Sequence, residues 1–196
     1  MSAADPITSA LKALAGALDE VDVPAMIIGG IAVIARGVPR HTIDIDATVR
    51  AEGLDIDLLI RVLASHGIVA RIPDARAFAF ERQVLLVRHA ASEVPLDISL
   101  AWLPFEIDAL ERSTPVDFGG VRLRVAEVAD LLVYKAIAWR DRDRSDVENL
   151  IAKHWARLDL DRVRSLVAQF ADALDAPERV GEFDAIVRRA VGPHPE

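Results

Sequence analysis

The hydrophobic pattern of this chain changes once, near residue 125, and the change limits the folds open to it. Up to that point, turn residues separate short apolar runs, several of which alternate with a period of two, as is typical of strands. From Ala126 onward apolar residues recur at helical spacing, which predicts helices over 126–140, 144–156, 161–173 and 178–190. We therefore expect an α/β (α+β) fold, with a small mixed sheet and flanking helices in residues 1–125. A helical part follows in residues 126–196, and the two parts count as two domains or as one.

Turn residues divide the first part into short predicted elements. Helices are expected over 5–20, 31–36 and 54–66. Strands are expected over 24–28 and 41–49, in the segments IVARI, RAFAFE, QVLLVRH and VPLDISLAW, and in a hairpin over 114–125.

Composition narrows the classes of function. The absence of cysteine excludes disulfides, thiolate nucleophiles and cysteine-type zinc sites. The net charge of −8 argues against broad nonspecific nucleic-acid binding, which needs lysine and arginine, although a local basic groove is compatible with it. The sequence shows neither a secretory signal pattern nor an apolar run of transmembrane length, so we expect a cytoplasmic protein without a membrane partner.

The stretch HTIDIDATV sets Asp44 and Asp46 on one face of a predicted strand. Alternation alone favours a solvated polar face on a half-buried strand. The other interpretation is a pair of hard oxygen ligands for Mg²⁺. Just before, Gly29-Gly30 joins a predicted strand to a predicted helix. It is either an ordinary turn or a backbone that a phosphate approaches closely.

Two more charged residues stand in apolar surroundings. Asp97, in PLDISL, faces either solvent or a cation, and a third carboxylate of a two-metal site would account for it. Lys135 interrupts the apolar stripe of VADLLVYKAIAW. It either extends to water or reaches a phosphate or an acid in a cleft between the two parts.

These motifs, in this order, resemble the DNA polymerase β-like nucleotidyltransferase superfamily: a hydrophobic residue with Gly-Gly, then Ile31–Ile43, an Asp-x-Asp pair and a later single Asp. Within it, GGIAVIARGVPRHTIDIDATV and KAIAWRDRDRSDVENL most closely resemble the AbiEii-like nucleotidyltransferases. Those are toxin components of toxin–antitoxin and phage-defence systems. The resemblance covers residues 25 to about 152.

The resemblance implies a nucleotidyltransferase-type sheet, a helical part that closes a nucleotide cleft, and an enzyme that moves NMP from an NTP to an acceptor hydroxyl. Gly29 and Gly30 would then hold the phosphates of the nucleotide. Two Mg²⁺ ions would be held by Asp44, Asp46 and Asp97, and Asp97 would help to activate the acceptor. These three aspartates are thus the expected metal ligands and catalytic residues.

Three further residues match the family pattern. Arg40 would bind nucleotide phosphate or fix its loop through a carboxylate; otherwise it is solvated. Lys135 would bind nucleotide and take part in catalysis. Asp146 would be catalytic or would position Lys135 or Arg140. From the residues alone, Asp146 is equally a first-turn acid or an ion-pair partner of Arg140 or Arg142.

The acceptor is open at this level. The resemblance favours the 3′ end of a tRNA, with the protein acting as a toxin that has a cognate antitoxin. The alternatives are a protein side chain or a small molecule such as an aminoglycoside. A catalytically silent fold used for interaction is the remaining alternative, and the presence of all three aspartates speaks against it.

Overall fold

A computed structural model describes residues 5–192 and divides the chain into two units. The first unit consists of residues up to Ala32 together with His41–Ala126. The second consists of Val33–Arg40 together with the residues from Glu127 on. The short segment 33–40 therefore belongs with the helical part of the chain.

The first unit is built on one mixed sheet. Its strands are β1 (Ala25–Ile28), β2 (Ile45–Arg50), β3 (Ile68–Ala70), β4 (Val84–His89), β5 (Pro95–Ala101), β6 (Thr114–Asp117) and β7 (Arg122–Val125). Their order across the sheet is β3-β4-β5-β2-β1-β7-β6. β2 is parallel to β5 and β1 to β7, whereas the other neighbours are antiparallel. The α/β prediction with a small mixed sheet is confirmed, and so is the 114–125 hairpin.

The two faces of the central strands differ in burial. Alternate residues of β2, β4 and β5 are buried, because these strands carry an aliphatic residue at every second position. They are Ile45, Ala47, Val49, Leu85, Val87, Leu96 and Ile98. On the opposite side, which we call the open face, Asp46, Leu86, Arg88, Asp97 and Ser99 are half-exposed. The open face is therefore accessible at Asp46 and Asp97, whereas Thr48 of β2 on the same side is buried.

Helices of the first unit pack against one another and against the strands. They are α1 (Pro6–Val21), α2 (Gly29–Ala35, which continues into the second unit), α3 (Ile56–Ser65), α4 (Ala75–Arg82) and α5 (Pro104–Arg112). α1 packs against α3, α4 against β4, and α5 against β2. The N-terminus of α1 is capped as its sequence predicts, with the Asp5 side chain accepting a hydrogen bond from the Thr8 amide.

One predicted strand is wrong. RAFAFE was expected to be extended because its alanines and phenylalanines alternate, yet Ala75–Arg82 forms α4. The residues that the helix buries are Ala75 and Ala79, four apart, while Phe80 is 52% exposed. Burial of small residues at helical spacing thus overrides the aromatic alternation.

The second unit is helical. Its helices are α6 (Val128–Ala138), α7 (Asp141–His154), α8 (Leu160–Ala173) and α9 (Glu178–Val191), with a 3₁₀ turn at Trp155–Arg157. α7 packs against α6 and α9, and α8 packs against the same two helices. All four predicted helices are therefore present, with bounds shifted by a few residues. Within residues 5–192 the structure contains no helix with the length and apolarity needed to span a membrane.

Candidate functional site

Asp46 and Asp97 lie side by side on the open face. They are register partners on the parallel strands β2 and β5. Adjacent strands are about 4.8 Å apart, and register partners point to the same face, so the two side chains are neighbours. The side chain of Asp97 is 42% exposed, and Asp46 is half-exposed as well. We call these two residues the acidic pair.

Gly29 makes room for the carboxylate of Asp46. β1 ends at Ile28, the antiparallel register partner of Asp46, and α2 begins at the next residue. Gly29 has φ +61°, and a Cβ built on it would lie 1.8 Å from Asp46 Oδ2. Any side chain would therefore collide with this carboxylate, and the backbone conformation itself favours glycine. Gly30, also in the predicted motif, is buried in the first turn of α2.

Asp44 precedes β2 rather than lying within it, because the regular strand begins only at Ile45. Its side chain is fixed locally: the Thr42 hydroxyl donates a hydrogen bond of 2.7 Å to Asp44 Oδ1. Asp44 is half-buried and two residues from Asp46 in the chain. Thr42 thus orients Asp44, the third acid that the sequence motif places near the acidic pair.

Asp97 has an arginine partner that sequence reasoning missed. Arg71 Nη2 donates a hydrogen bond of 2.5 Å to Asp97 Oδ1. The sequence left two possibilities for Asp97, solvent or a cation, and the structure provides a cation, with the pair still half-exposed. The sequence pattern of IVARI does not indicate this contact, because the contact depends on which strands become neighbours in the sheet.

The chemistry of these carboxylates suits a hard cation. Mg²⁺ takes one or two protein carboxylates and leaves its remaining positions to water and phosphate oxygens, which Asp46 and Asp97 fit as neighbours on one face. In the part of the chain that the structure describes, no three acidic or histidine side chains are grouped so that they could hold one metal ion. The predicted set of Asp44, Asp46 and Asp97 as three metal ligands therefore stays a prediction.

The other predicted residues meet in the second unit. Lys135 Nζ lies 2.9 Å from Asp143 Oδ1 and 2.9 Å from Asp146 Oδ2. Arg40 Nη1 lies 2.5 Å from the same Asp146 oxygen. The side chains are only 3–16% exposed. We call Arg40, Lys135, Asp143 and Asp146 the four-charge cluster.

The four-charge cluster answers the questions that the sequence left open about its members. Lys135 does not extend to water but pairs with two acids, and Arg40 pairs with a carboxylate. Asp146 was weighed as a partner of Arg140 or Arg142 and as a residue that positions Lys135; it pairs with Lys135 and, in place of Arg140 or Arg142, with Arg40. Two cations and two acids balance in charge, which is the condition under which buried charges are tolerated.

Asp143 was missed at the sequence level, and it joins the cluster to the start of α7. Its Oδ2 accepts a hydrogen bond from the Arg140 amide while its Oδ1 faces Lys135. An acid in the first helical turn is also favoured by the helix dipole. The same helix holds segment 33–40 at a second point, where His154 Nε2 donates to the Arg36 carbonyl. The cluster is thus one of several contacts that attach this segment to α7.

Comparison with known proteins identifies the family. The model of the family "Nucleotidyltransferase of unknown function (DUF6036)" matches residues 5–184, so the chain belongs to this nucleotidyltransferase family. No curated protein matches the chain in sequence. The predicted nucleotidyltransferase superfamily is confirmed, whereas the AbiEii-like assignment stays a prediction.

Two solved structures share the fold. The solution structure of the antibiotic-resistance factor ANT(2″)-Ia has a TM-score of 0.56 and 22% identity, and covers 85% of this chain and 91% of its own. The crystal structure of ANT(2″)-Ia in complex with adenylyl-2″-tobramycin has a TM-score of 0.53 and 21% identity, and covers 83% of this chain and 95% of its own. At these identities the likeness establishes the fold.

Proposed function

We propose that this protein transfers a nucleoside monophosphate from an NTP to an acceptor hydroxyl, and that the acidic pair is its reaction centre. The observation that carries the proposal is the contact between Asp46 and Gly29 beside Asp97. Two carboxylates in register on adjacent strands repel each other, a cost to the sheet that the ion pair of Asp97 with Arg71 reduces. Chemistry that needs two neighbouring carboxylates accounts for keeping them together.

Each group of the site has a part in this reaction. Asp46 and Asp97, with Asp44 close by in sequence, would hold divalent cations, for which the family resemblance implies two Mg²⁺ ions. When bound, such cations neutralise charge on the attacking and leaving oxygens. Gly29, together with Gly30, offers backbone without side chains to the phosphates of the nucleotide. Asp97 takes the proton of the acceptor hydroxyl as the new bond to the α-phosphorus forms and pyrophosphate leaves.

The four-charge cluster has a supporting part in this proposal. Lys135, Asp146 and Arg40 were expected to contact nucleotide or to position one another, and their mutual pairing supports the second role. Arg40 and Lys135 both pair with acids of α7, so we infer that Arg40 holds segment 33–40 on α7 and that Lys135 holds α6 on the same helix. A direct contact of Lys135 with nucleotide is the competing hypothesis, and the stability measurement in the Discussion separates the two.

The test is transfer of label from each α-³²P-NTP in the presence of Mg²⁺, with Asp46→Asn and Asp97→Asn as the decisive variants. Each should lower the transfer rate by about 10²- to 10³-fold, the cost of losing one electrostatic stabiliser of a transition state. Asp57→Asn is the matched control, because Asp57 is also a half-exposed acid of this unit paired with an arginine, Arg76, at 2.7 Å. Wild-type rates in both Asp46→Asn and Asp97→Asn would refute the site.

Two acceptors are to be supplied in that assay. The sequence resemblance to AbiEii-like toxins supports the 3′ end of tRNA. A cationic aminoglycoside is supported by the fold shared with ANT(2″)-Ia. Label in tRNA or label in the antibiotic decides between them.

The toxin role is a separate proposal with its own test. If the protein is the toxin of a toxin–antitoxin pair, induced expression should arrest growth of a bacterial host. The Asp97→Asn variant, expressed to the same level, should not. If the host grows equally well with wild type and with Asp97→Asn, the toxin role and the expected antitoxin partner are refuted. The proposal of nucleotidyl transfer is not affected by that result.

A further inference from the structure

Arg71 lies in line with the acidic pair across the sheet. Its amide donates a hydrogen bond of 3.0 Å to the Leu86 carbonyl, immediately after β3 ends at Ala70. Leu86 is the register partner of Asp97, which is in turn the partner of Asp46. The backbone of Arg71 is therefore anchored at the level of the two acids, with β4 between it and Asp97.

The guanidinium of Arg71 occupies an oxygen that a bound cation would use. It contacts Asp97 Oδ1, a carboxylate oxygen of the acidic pair. The negative charge of Asp97 attracts both a guanidinium and a divalent cation. These two positive groups repel each other when both lie beside the same carboxylate. Binding of a cation to Asp97 must therefore weaken or break the contact with Arg71.

The ion pair is built so that it can open. The side chains of Arg71 and Asp97 are 34% and 42% exposed, and ion pairs of that exposure are weak. β3 has three residues and is an edge strand, and among residues 5–192 only β4 pairs with it in the sheet. The side chain of Arg71 can thus leave Asp97 without disturbing the buried face of the sheet.

We propose that Arg71 is the internal counterion of the acidic pair: it orients Asp97 before a cation binds and competes with that cation for the carboxylate. Arg71 is thus a positioning residue, and its contact with Asp97 sets the cation concentration at which the site fills. The inference rests on the proposed function, since it concerns the cation that nucleotidyl transfer would use. It assigns to Arg71 a part that sequence motifs do not mark.

The experiment measures cation binding directly, without nucleotide or turnover. Mn²⁺ is titrated into wild type, Arg71→Gln and Arg71→Lys, and bound Mn²⁺ is followed by electron paramagnetic resonance. Arg71→Gln should bind Mn²⁺ about two- to fivefold more tightly than wild type, the factor that corresponds to an exposed ion pair. Arg71→Lys, which keeps the charge, should return the affinity toward wild type, and Asp97→Asn should lose the site.

Arg88→Gln is the matched control. Arg88 is on the open face, its side chain is 36% exposed, and it pairs with Glu93 rather than with Asp97. Its replacement removes the same charge from the same face and should leave the affinity for Mn²⁺ unchanged. Circular dichroism melts of all variants exclude loss of folding as the cause of a change.

The outcomes separate this inference from the proposed function. Equal or weaker Mn²⁺ binding by Arg71→Gln, in a protein that transfers label, overturns the counterion inference alone. Equal tightening by Arg71→Gln and Arg88→Gln also overturns it, because the effect would then be one of general charge. A wild type that neither binds Mn²⁺ nor transfers label overturns both.

Discussion

The acidic pair and the four-charge cluster are both groups of charged residues, but they differ in burial and in charge balance. The cluster is nearly excluded from solvent, with Asp143 only 3% exposed, and its two acids are neutralised by two cations. The acidic pair is half-exposed and brings two like charges into register. The first arrangement is what a folded chain requires of buried charge, whereas in the second the two carboxylates repel each other and Asp97 has the partly exposed Arg71 as its counterion.

The difference separates the roles of residues that one family pattern groups together. Asp46, Asp97, Lys135 and Asp146 were all candidate catalytic residues in the sequence. Only the first two keep carboxylates on a surface that ligands can reach, whereas Lys135 and Asp146 are enclosed and engaged with each other. We therefore expect substitutions in the cluster to act first on stability, and substitutions at the acidic pair to act first on transfer.

The largest effect is expected for Lys135→Met. The change leaves Asp143 and Asp146 buried with one cation, Arg40, and breaking such a network costs about 3–5 kcal/mol. Urea denaturation followed by circular dichroism measures the free energy of unfolding. Arg189→Met is the control in the same unit, because Arg189 and Glu148 form an exposed pair, 56% and 41%, whose loss should leave the free energy of unfolding nearly unchanged.

A different result would break the comparison between the two groups. If Lys135→Met unfolds at the same urea concentration as wild type but no longer transfers label, Lys135 acts on the nucleotide, as the family resemblance implies. The distinction between a structural cluster and a reactive pair would then be wrong.

The fold was predictable from sequence wherever hydrophobic periodicity was long and regular. α6 to α9 follow from apolar residues at helical spacing, and β5 follows from clean alternation around Asp97. α4 and α5 were not found. In α4 the alternation of alanine and phenylalanine suggested a strand. α5 is a nine-residue helix, and its start is fixed by Glu106, which accepts hydrogen bonds from the amides of Trp102 and Leu103. Such local capping without a strong apolar stripe gives little signal.

The acids of the candidate site could be named from the sequence, whereas their ion-pair partners could not. Gly29, Asp44, Asp46 and Asp97 are recognisable because a motif keeps them in order along the chain. The contact between Arg71 and Asp97 joins residues 26 apart, and that between Arg40 and Asp146 joins residues 106 apart. Both depend on the order of strands or the packing of helices, which no local pattern encodes.

An intermediate effect is expected for Gly29→Ala, which tests whether the acidic pair depends on its backbone surroundings. The new Cβ would lie 1.8 Å from Asp46 Oδ2, so the carboxylate must move. Displacement of a reacting group by about 1 Å can cost about 10²-fold in rate, and we expect that loss of transfer. The measurement is the label-transfer rate together with the melting temperature.

Gly53→Ala supplies the control for backbone strain. Gly53 has φ +75°, similar to the +61° of Gly29, but nothing lies within 4 Å of its Cβ position. Both variants therefore share the left-handed strain of about 1–2 kcal/mol, and only Gly29→Ala displaces Asp46. Equal transfer rates in the two variants would show that the close approach of Gly29 to Asp46 has no part in the reaction.

The smallest effect is expected for Thr42→Val, which tests whether Asp44 acts together with the acidic pair. The change removes the hydrogen bond from Thr42 to Asp44 Oδ1 while keeping the shape of the side chain. A typical hydrogen bond contributes about 0.5–1.5 kcal/mol, which corresponds to about a two- to tenfold change, so transfer should fall by that factor with the fold intact. Thr8→Val is the matched control, since the Thr8 hydroxyl also donates to an acid, Asp5, at the start of α1.

If Thr42→Val and Thr8→Val transfer label equally well, the orientation of Asp44 does not matter to the reaction.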